Sequence, residues 1–212
     1  MQNSHSLTFK MDKIKAIIFD LGKVVINYDH MIAAKKMSKV ISIPATLIKE
    51  TLLDEKNLNP LEKGIISEKE FWSRIEKRIN TKINGKLFEK FWNSIFSPNK
   101  NIEKLVGLLK KRYKLALLSN IGNFQKDYVC KHFKIIKKFD VVIFSNEVGL
   151  RKPEKEIYKL VLRRLGTKPK ETLYFDDKLE FVIAARKLGI NSFQFKSIPQ
   201  FKKILKKFDV AL

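Results

Sequence analysis

The first apolar run of the chain, residues 16–19 (AIIF), ends in Asp20, and Gly22 follows two positions later. Four further short runs of the same kind lie at residues 115–118, 141–144, 173–175 and 192–195. Short runs without polar alternation are typical of strands in a parallel sheet that is covered on both faces. Such sheets collect functional side chains at the carboxyl ends of their strands. The pattern therefore favours an α/β fold with Asp20 at the functional edge of the sheet.

Segments with helical periodicity separate these runs, most clearly Glu154–Leu165 and Leu179–Leu188, the second closed by Gly189. Alternating strands and helices predict a parallel sheet wrapped by helices. Right-handed crossovers then place all the strand C-termini on one edge. We expect a Rossmann-like, doubly wound parallel sheet.

Residues 27–97 differ, because they contain no convincing strand and interrupt the α/β pattern right after the first strand. Four amphipathic helices are predicted there: Asp29–Val40, Pro44–Asp54, Ser67–Asn80 and Gly85–Phe96. We therefore predict an α/β core built from residues 1–26 and 98–212, with an α-helical cap domain formed by residues 27–97.

Composition limits the compartment and the partners. No stretch approaches about 18 uninterrupted apolar residues, so a membrane span is not expected. The polar leader, Met1 to Asp12, lacks the apolar region of a secretion signal, and the single Cys130 excludes an internal disulfide. We expect a cytoplasmic protein. The net charge of +22, concentrated in the second half, leaves open either nucleic-acid binding or a lysine-rich surface of no special role. Oligomeric state is not indicated.

Polar groups follow four of the predicted strands: Asp20, Ser119 with Asn120, Lys152, and Asp176 with Asp177. This set suits a phosphoryl group. A carboxylate can attack phosphorus, Mg²⁺ and an ammonium offset the negative charge, and a hydroxyl with backbone N–H groups binds the oxygens. Mg²⁺ prefers oxygen ligands and usually takes one or two carboxylates plus waters.

Four segments in order carry a family resemblance: FDLGKVV at residues 19–25, LSN at 118–120, GLRKPE at 149–154 and YFDD at 174–177. Together they resemble the haloacid dehalogenase-like (HAD) hydrolase superfamily, from about Lys15 to Phe195. The chain is most similar to the branch of sugar-phosphate phosphatases and epoxide-hydrolase N-domains. Residues 62–71 resemble the helical cap of that branch.

The resemblance implies a role for each matched position. Asp20 is expected to be the nucleophile, forming an aspartyl-phosphate, and a Mg²⁺ ligand. The backbone carbonyl of Gly22 and the carboxylate of Asp176 are implied as further ligands, with Asp177 supporting the metal through water or Lys152.

The phosphate-binding and catalytic set implied in the same way includes Ser119, Asn120 and Lys152. Ser119 and the Asn120 amide would bind phosphate oxygens, and Lys152 would keep Asp20 charged and stabilise the transferring phosphoryl group. The expected function is a Mg²⁺-dependent phosphatase of a small phosphorylated metabolite, with a sugar phosphate as one candidate. The alternatives are a catalytically weak HAD-fold protein that binds nucleic acid or a protein partner, and a haloacid-type dehalogenase.

Three positions depart from the family pattern. Gly22 replaces an Asp that shuttles protons in many members, a role worth roughly 10²–10⁴ in rate. Phe181 stands where a polar residue is usual and is expected to pack in the following helix. Lys178 is either a solvated lysine or an ammonium close enough to the acidic pair to weaken Mg²⁺ binding. Asp29 is a remote substitute for the missing acid, although a helix N-cap is the expected role.

Overall fold

The computed structural model describes residues 12–212, so Met1–Met11, nearly all of the leader, lie outside the described residues. Seven strands occur in this part of the chain: β1 (Ala16–Phe19), β2 (Ile26–Tyr28), β3 (Phe96–Pro98), β4 (Lys114–Ser119), β5 (Val141–Phe144), β6 (Thr172–Asp176) and β7 (Asn191–Gln194). Five of them form one parallel sheet in the order β5-β4-β1-β6-β7. The predicted α/β sheet is therefore confirmed, and every predicted strand belongs to it.

Eleven α-helices lie between and around these strands within residues 12–212. They are α1 (His30–Ile41), α2 (Ala45–Leu52), α3 (Glu55–Glu62), α4 (Glu68–Ile79), α5 (Gly85–Asn93), α6 (Lys100–Leu109), α7 (Asn123–His132), α8 (Ser145–Val148), α9 (Lys155–Leu165), α10 (Leu179–Arg186) and α11 (Ile198–Lys207). Over the same residues, no helix combines the length and apolarity needed to cross a bilayer.

The sheet is buried on both faces, as its continuous apolar strands predict. Successive side chains of a strand point to opposite faces. In β1, Ile17 and Phe19 join one hydrophobic cluster, whereas Ala16 and Ile18 join another. Because β1 is the central strand and is paired on both sides, Asp20 emerges at the middle of the sheet edge.

The inserted segment, residues 27–97, contains α1 to α5 around a separate hydrophobic cluster. Phe71, Trp72, Phe88 and Trp92 are all buried in it. The aromatic residues thus build its core. The division into a sheet core and a cap domain stays a prediction, and this separate cluster is consistent with it.

Two expectations for the inserted segment are wrong. It was expected to contain no strand, yet β2 and β3 pair antiparallel at its two ends, with Tyr28 opposite Phe96. Three-residue strands are too short to show an alternating pattern. The helix α3 was also not expected; Asp54 caps it by accepting a hydrogen bond from the N–H of Lys56.

The inserted segment is tied to the sheet side of the molecule through the turn after α3. The carboxylate of Glu62 accepts hydrogen bonds from Nε and Nη2 of Arg151 at 3.1 and 2.9 Å. Lys63 and Glu154 form an ion pair at 2.8 Å. Gly64 lies so near the carbonyl oxygen of Asn146 that a Cβ at this position would stand 2.5 Å from it.

Candidate active site

The parallel strands bring the predicted site residues to one edge. Asp20 follows β1, Ser119 ends β4 and Asp176 ends β6, and all three are buried. The N–H of Asp20 donates to the carbonyl of Phe175 at 2.8 Å, which continues the pairing of β1 with β6 by one residue. The positions of the carboxylates therefore follow from the sheet register.

Lys152 joins the two buried carboxylates. Its side chain is 1% exposed, and its Nζ donates to Oδ1 of Asp20 at 2.6 Å and to Oδ2 of Asp176 at 2.7 Å. Tyr174 also donates its hydroxyl to Oδ2 of Asp176, and the N–H of Lys178 donates to Oδ1 at 2.8 Å. A buried charge is tolerated when it is paired and hydrogen-bonded in this way.

Burial and the attraction between opposite charges shift the pKa values of Asp20 and Lys152 in opposite directions. Burial raises the pKa of Asp20, and repulsion by Asp176 adds to this, while attraction by Lys152 opposes it. Burial alone would lower the pKa of Lys152, but the attraction of the two carboxylates outweighs it and raises that pKa. Burial, followed by repulsion from Asp176, raises the pKa of Asp177. The site thus holds excess negative charge at its centre.

Three carboxylates form an oxygen cluster that could hold a cation. Asp20, Asp176 and Asp177 each offer one oxygen, and these atoms lie within 4.8 Å of one another. Hard oxygen donors are the ligands that Mg²⁺ prefers. The donor set therefore fits this ion, and a dication would offset the repulsion among the carboxylates.

The side chain of Asn120 has a partner within the protein, and its predicted phosphate contact stays a prediction. Its side-chain amide donates to the carbonyl of Lys152 at 2.9 Å, and its Oδ1 accepts from the N–H of the same residue at 2.9 Å. The side chain therefore fixes the backbone that carries Lys152. A phosphate contact from the Asn120 side chain would require breaking these two hydrogen bonds, although Asn120 and Ser119 both border the cavity.

The structure shows what surrounds Lys178 and Phe181, two of the residues that depart from the family pattern. Phe181 is buried, and the Nζ atoms of Lys152 and Lys178 each lie 5.1 Å from its ring centroid. The predicted packing role of Phe181 is confirmed, with the addition that its ring face contacts two cations. Lys178 is exposed; among the described residues it forms no ion pair within 4.0 Å. Its N–H, rather than its ammonium, bonds to the acidic pair.

Above the sheet edge lies a cavity of about 360 Å³ that is bordered by Asp20, Gly22, Ser119, Lys152 and Asp177. The site residues of the sheet edge therefore face a common space, except that Asp176 is fully buried beneath it.

The cavity is also bordered by residues that were not predicted to be functional. Tyr28, His30 and Asn59 come from the inserted segment, and Gln125 comes from α7. Asp29 caps α1 through the N–H of Met31, as expected. Only tertiary placement makes Tyr28 and His30 neighbours of Asp20, so no local pattern could have identified them.

Comparison with known proteins supports the resemblance. The haloacid dehalogenase-like hydrolase family matches residues 17–195. A D-ribitol-5-phosphate phosphatase from Bacteroides thetaiotaomicron is 26% identical over 85% of this chain and 91% of its own length. A phosphorylated carbohydrates phosphatase from Thermotoga maritima is 25% identical over 84% and 82%.

Solved structures agree with these relatives. A HAD family enzyme from Bacteroides thetaiotaomicron, crystallised with magnesium and inorganic phosphate, superposes with a TM-score of 0.77 at 30% identity, covering 87% of this chain and 96% of the other. A structure of a dehalogenase also superposes, with a TM-score of 0.70, but at 17% identity this shows a shared fold alone. The matched segments, the sheet order and these relatives lead to one conclusion: the chain belongs to the haloacid dehalogenase-like hydrolases.

Proposed function

We propose that the protein is a Mg²⁺-dependent phosphatase that hydrolyses a small phosphorylated metabolite through Asp20. The observation that carries this proposal is the buried contact of Lys152 with both Asp20 and Asp176 at the edge of the cavity. Two relatives that match most of the chain are named as a phosphatase of phosphorylated carbohydrates and a phosphatase of a sugar alcohol phosphate. We further propose that residues 27–97 act as the cap that covers this site.

In the proposed reaction, Asp20 attacks phosphorus, the ester oxygen leaves, and water then hydrolyses the aspartyl-phosphate. Lys152 orients Asp20 through the 2.6 Å hydrogen bond and stabilises negative charge on the phosphoryl oxygens. Ser119 borders the cavity and would donate to one of those oxygens. Asp20, Asp176, Asp177 and the carbonyl of Gly22 would hold Mg²⁺, which supplies charge neutralisation when bound.

The wall of the cavity favours a polar leaving group. Three buried side-chain atoms on residues that border it have no hydrogen-bond partner: Nδ1 of His30, Oδ1 of Asn59 and Nε2 of Gln125. A buried polar atom without a partner costs about 1–3 kcal/mol. Hydroxyl groups of a bound sugar or polyol phosphate would supply the missing partners.

The test is Asp20→Asn, assayed against a panel of sugar and polyol phosphates with Mg²⁺ and with EDTA. We expect a loss of roughly 10³-fold or more, because the amide cannot form the phosphoenzyme. The matched control is Asp127→Asn, an exposed carboxylate outside the cavity, which should retain activity.

Full turnover by Asp20→Asn would contradict the mechanism. Activity on a 2-haloacid that EDTA leaves unchanged would instead identify a dehalogenase.

A further inference from the structure

Gly22 has no room for a side chain. A Cβ at this position would lie 2.3 Å from Cε1 and 2.7 Å from Cδ1 of Tyr28. Real Cβ atoms essentially never come within 3.0 Å of a heavy atom beyond their own chain neighbours. The ring of Tyr28 therefore occupies the space that a carboxylate at position 22 would need, so the two groups exclude each other on this backbone.

The ring of Tyr28 is held in this place by its neighbours. Tyr28 is the last residue of β2 and pairs with Phe96 of β3. The ring of His30 contacts it edge-on, with centroids 5.0 Å apart, and His30 in turn stacks on the buried ring of Trp92 at 5.4 Å. The ammonium of Lys23 lies 5.3 Å from the centroid of the Tyr28 ring. Rotation of the ring away from Gly22 would disturb these contacts.

The hydroxyl of Tyr28 is available to a ligand. Tyr28 borders the same cavity as Asp20, Ser119 and Lys152. Within residues 12–212 its hydroxyl has no hydrogen-bond partner, in contrast to that of Tyr158, which donates to the carbonyl of Phe181, and that of Tyr174. A tyrosine hydroxyl ordinarily titrates at about pH 10, so it is a neutral donor at physiological pH.

We propose that Tyr28 is a catalytic residue whose hydroxyl donates a hydrogen bond to the leaving-group oxygen of the phosphate ester, from the space that a side chain at position 22 would otherwise fill. This inference rests on the proposed phosphatase function. Tyr28 keeps its proton throughout, and the departing oxygen takes its proton from water. The hydrogen bond strengthens as negative charge develops on that oxygen, so its effect depends on how poor the leaving group is.

The first experiment compares Tyr28→Phe with wild type on two esters: D-ribitol 5-phosphate, with a poor alkoxide leaving group, and p-nitrophenyl phosphate, with a good one. We expect kcat for the alkyl ester to fall roughly 10- to 100-fold. For the aryl ester we expect a change of less than about threefold, because its leaving group needs little stabilisation. Tyr128→Phe, the same change outside the cavity, should alter neither rate.

The second experiment tests the exclusion between positions 22 and 28 without using activity. Gly22→Ala should lower Tm by several degrees when Tyr28 is present. In the Tyr28→Ala background, the same Gly22→Ala change should alter Tm by less than about 2 °C, because the ring is gone. Equal shifts in both backgrounds would show that the ring does not occupy this space, and would overturn the inference.

The kinetic outcomes separate this inference from the proposed function. Wild-type turnover of both esters, together with an equal or negligible effect of Tyr28→Phe on the two, would leave the phosphatase intact and overturn the role of Tyr28. If wild type and the Tyr28 variant hydrolyse neither ester nor any member of the phosphate panel, the proposed function and this inference both fail.

Discussion

Replacing Lys152 with methionine tests the electrostatic centre of the site. Methionine keeps most of the length and volume of the side chain but removes the charge that lies 2.6 and 2.7 Å from two carboxylate oxygens. Removing one partner of a buried ion pair costs about 3–5 kcal/mol, because the other charge stays buried and unpaired. We expect the free energy of unfolding to fall by this amount at pH 7 in the absence of metal.

The loss of unfolding free energy in Lys152→Met should depend on pH, because the carboxylate left without its partner titrates. Without Lys152, the attraction that opposes burial is lost, so the pKa of Asp20 in the folded state lies further above its unfolded value. A folded-state pKa that is raised gives stability at low pH, and that stability is lost as pH rises through the folded pKa. The difference between wild type and Lys152→Met should therefore be small near pH 5 and grow toward pH 8.

The assay is urea unfolding followed by tryptophan fluorescence, with EDTA, at pH 5, 6, 7 and 8. Lys178→Met is the matched control, because Lys178 borders the same cavity but is exposed; we expect a loss of less than about 1 kcal/mol. Saturating Mg²⁺ should restore part of the stability of Lys152→Met, because it binds only the folded carboxylate cluster. A Lys152→Met protein as stable as wild type, or a loss that does not change with pH, would refute this account of the site.

Two further predictions concern cavity residues. Burial lowers the pKa of His30 from 6.5 to about 4. The unfolded chain therefore binds a proton at higher pH than the folded one. Acidification from pH 6.5 to 4 should lower the free energy of unfolding by about 3 kcal/mol through this residue. His30→Phe should lose that part of the pH dependence in urea unfolding, and parallel profiles for the two proteins would contradict the assignment. Gln125→Leu should raise KM for a polyol phosphate about tenfold while leaving p-nitrophenyl phosphate nearly unchanged, since the buried amide lacks a protein partner. Steady-state kinetics on both esters checks this, and an equal change on the two would show a general packing effect.

The sheet was predictable because four of its five strands contain continuous apolar runs that are followed by polar residues. Asp20 and Asp176 could be placed at one edge on the principle that parallel strands share a direction. The helix α3 was not predictable in the same way, because Asn57, Asn59 and Pro60 have low helix propensity. Pro60 is tolerated there because α3 is short and is held by the cap at Asp54 and by tertiary packing.

The residues that line the cavity could not be predicted, for a different reason. The ring of Tyr28 lies against the backbone of Gly22, and no periodicity in the sequence indicates such a contact. The Asn120 side chain illustrates the same limit, since its amide bonds to the backbone of a residue 32 positions away. Nucleic-acid binding and the cytoplasmic location stay predictions from composition.

The short loop of residues 151–154 contacts both the inserted segment and the candidate nucleophile. Arg151 holds the turn after α3, whereas its neighbour Lys152 holds the nucleophile, and Glu154 in the same loop pairs with Lys63. Lifting the inserted segment from the sheet would break both ion pairs on either side of Lys152. Because these ion pairs flank Lys152, we expect that disturbing either of them would shift the ammonium that contacts Asp20.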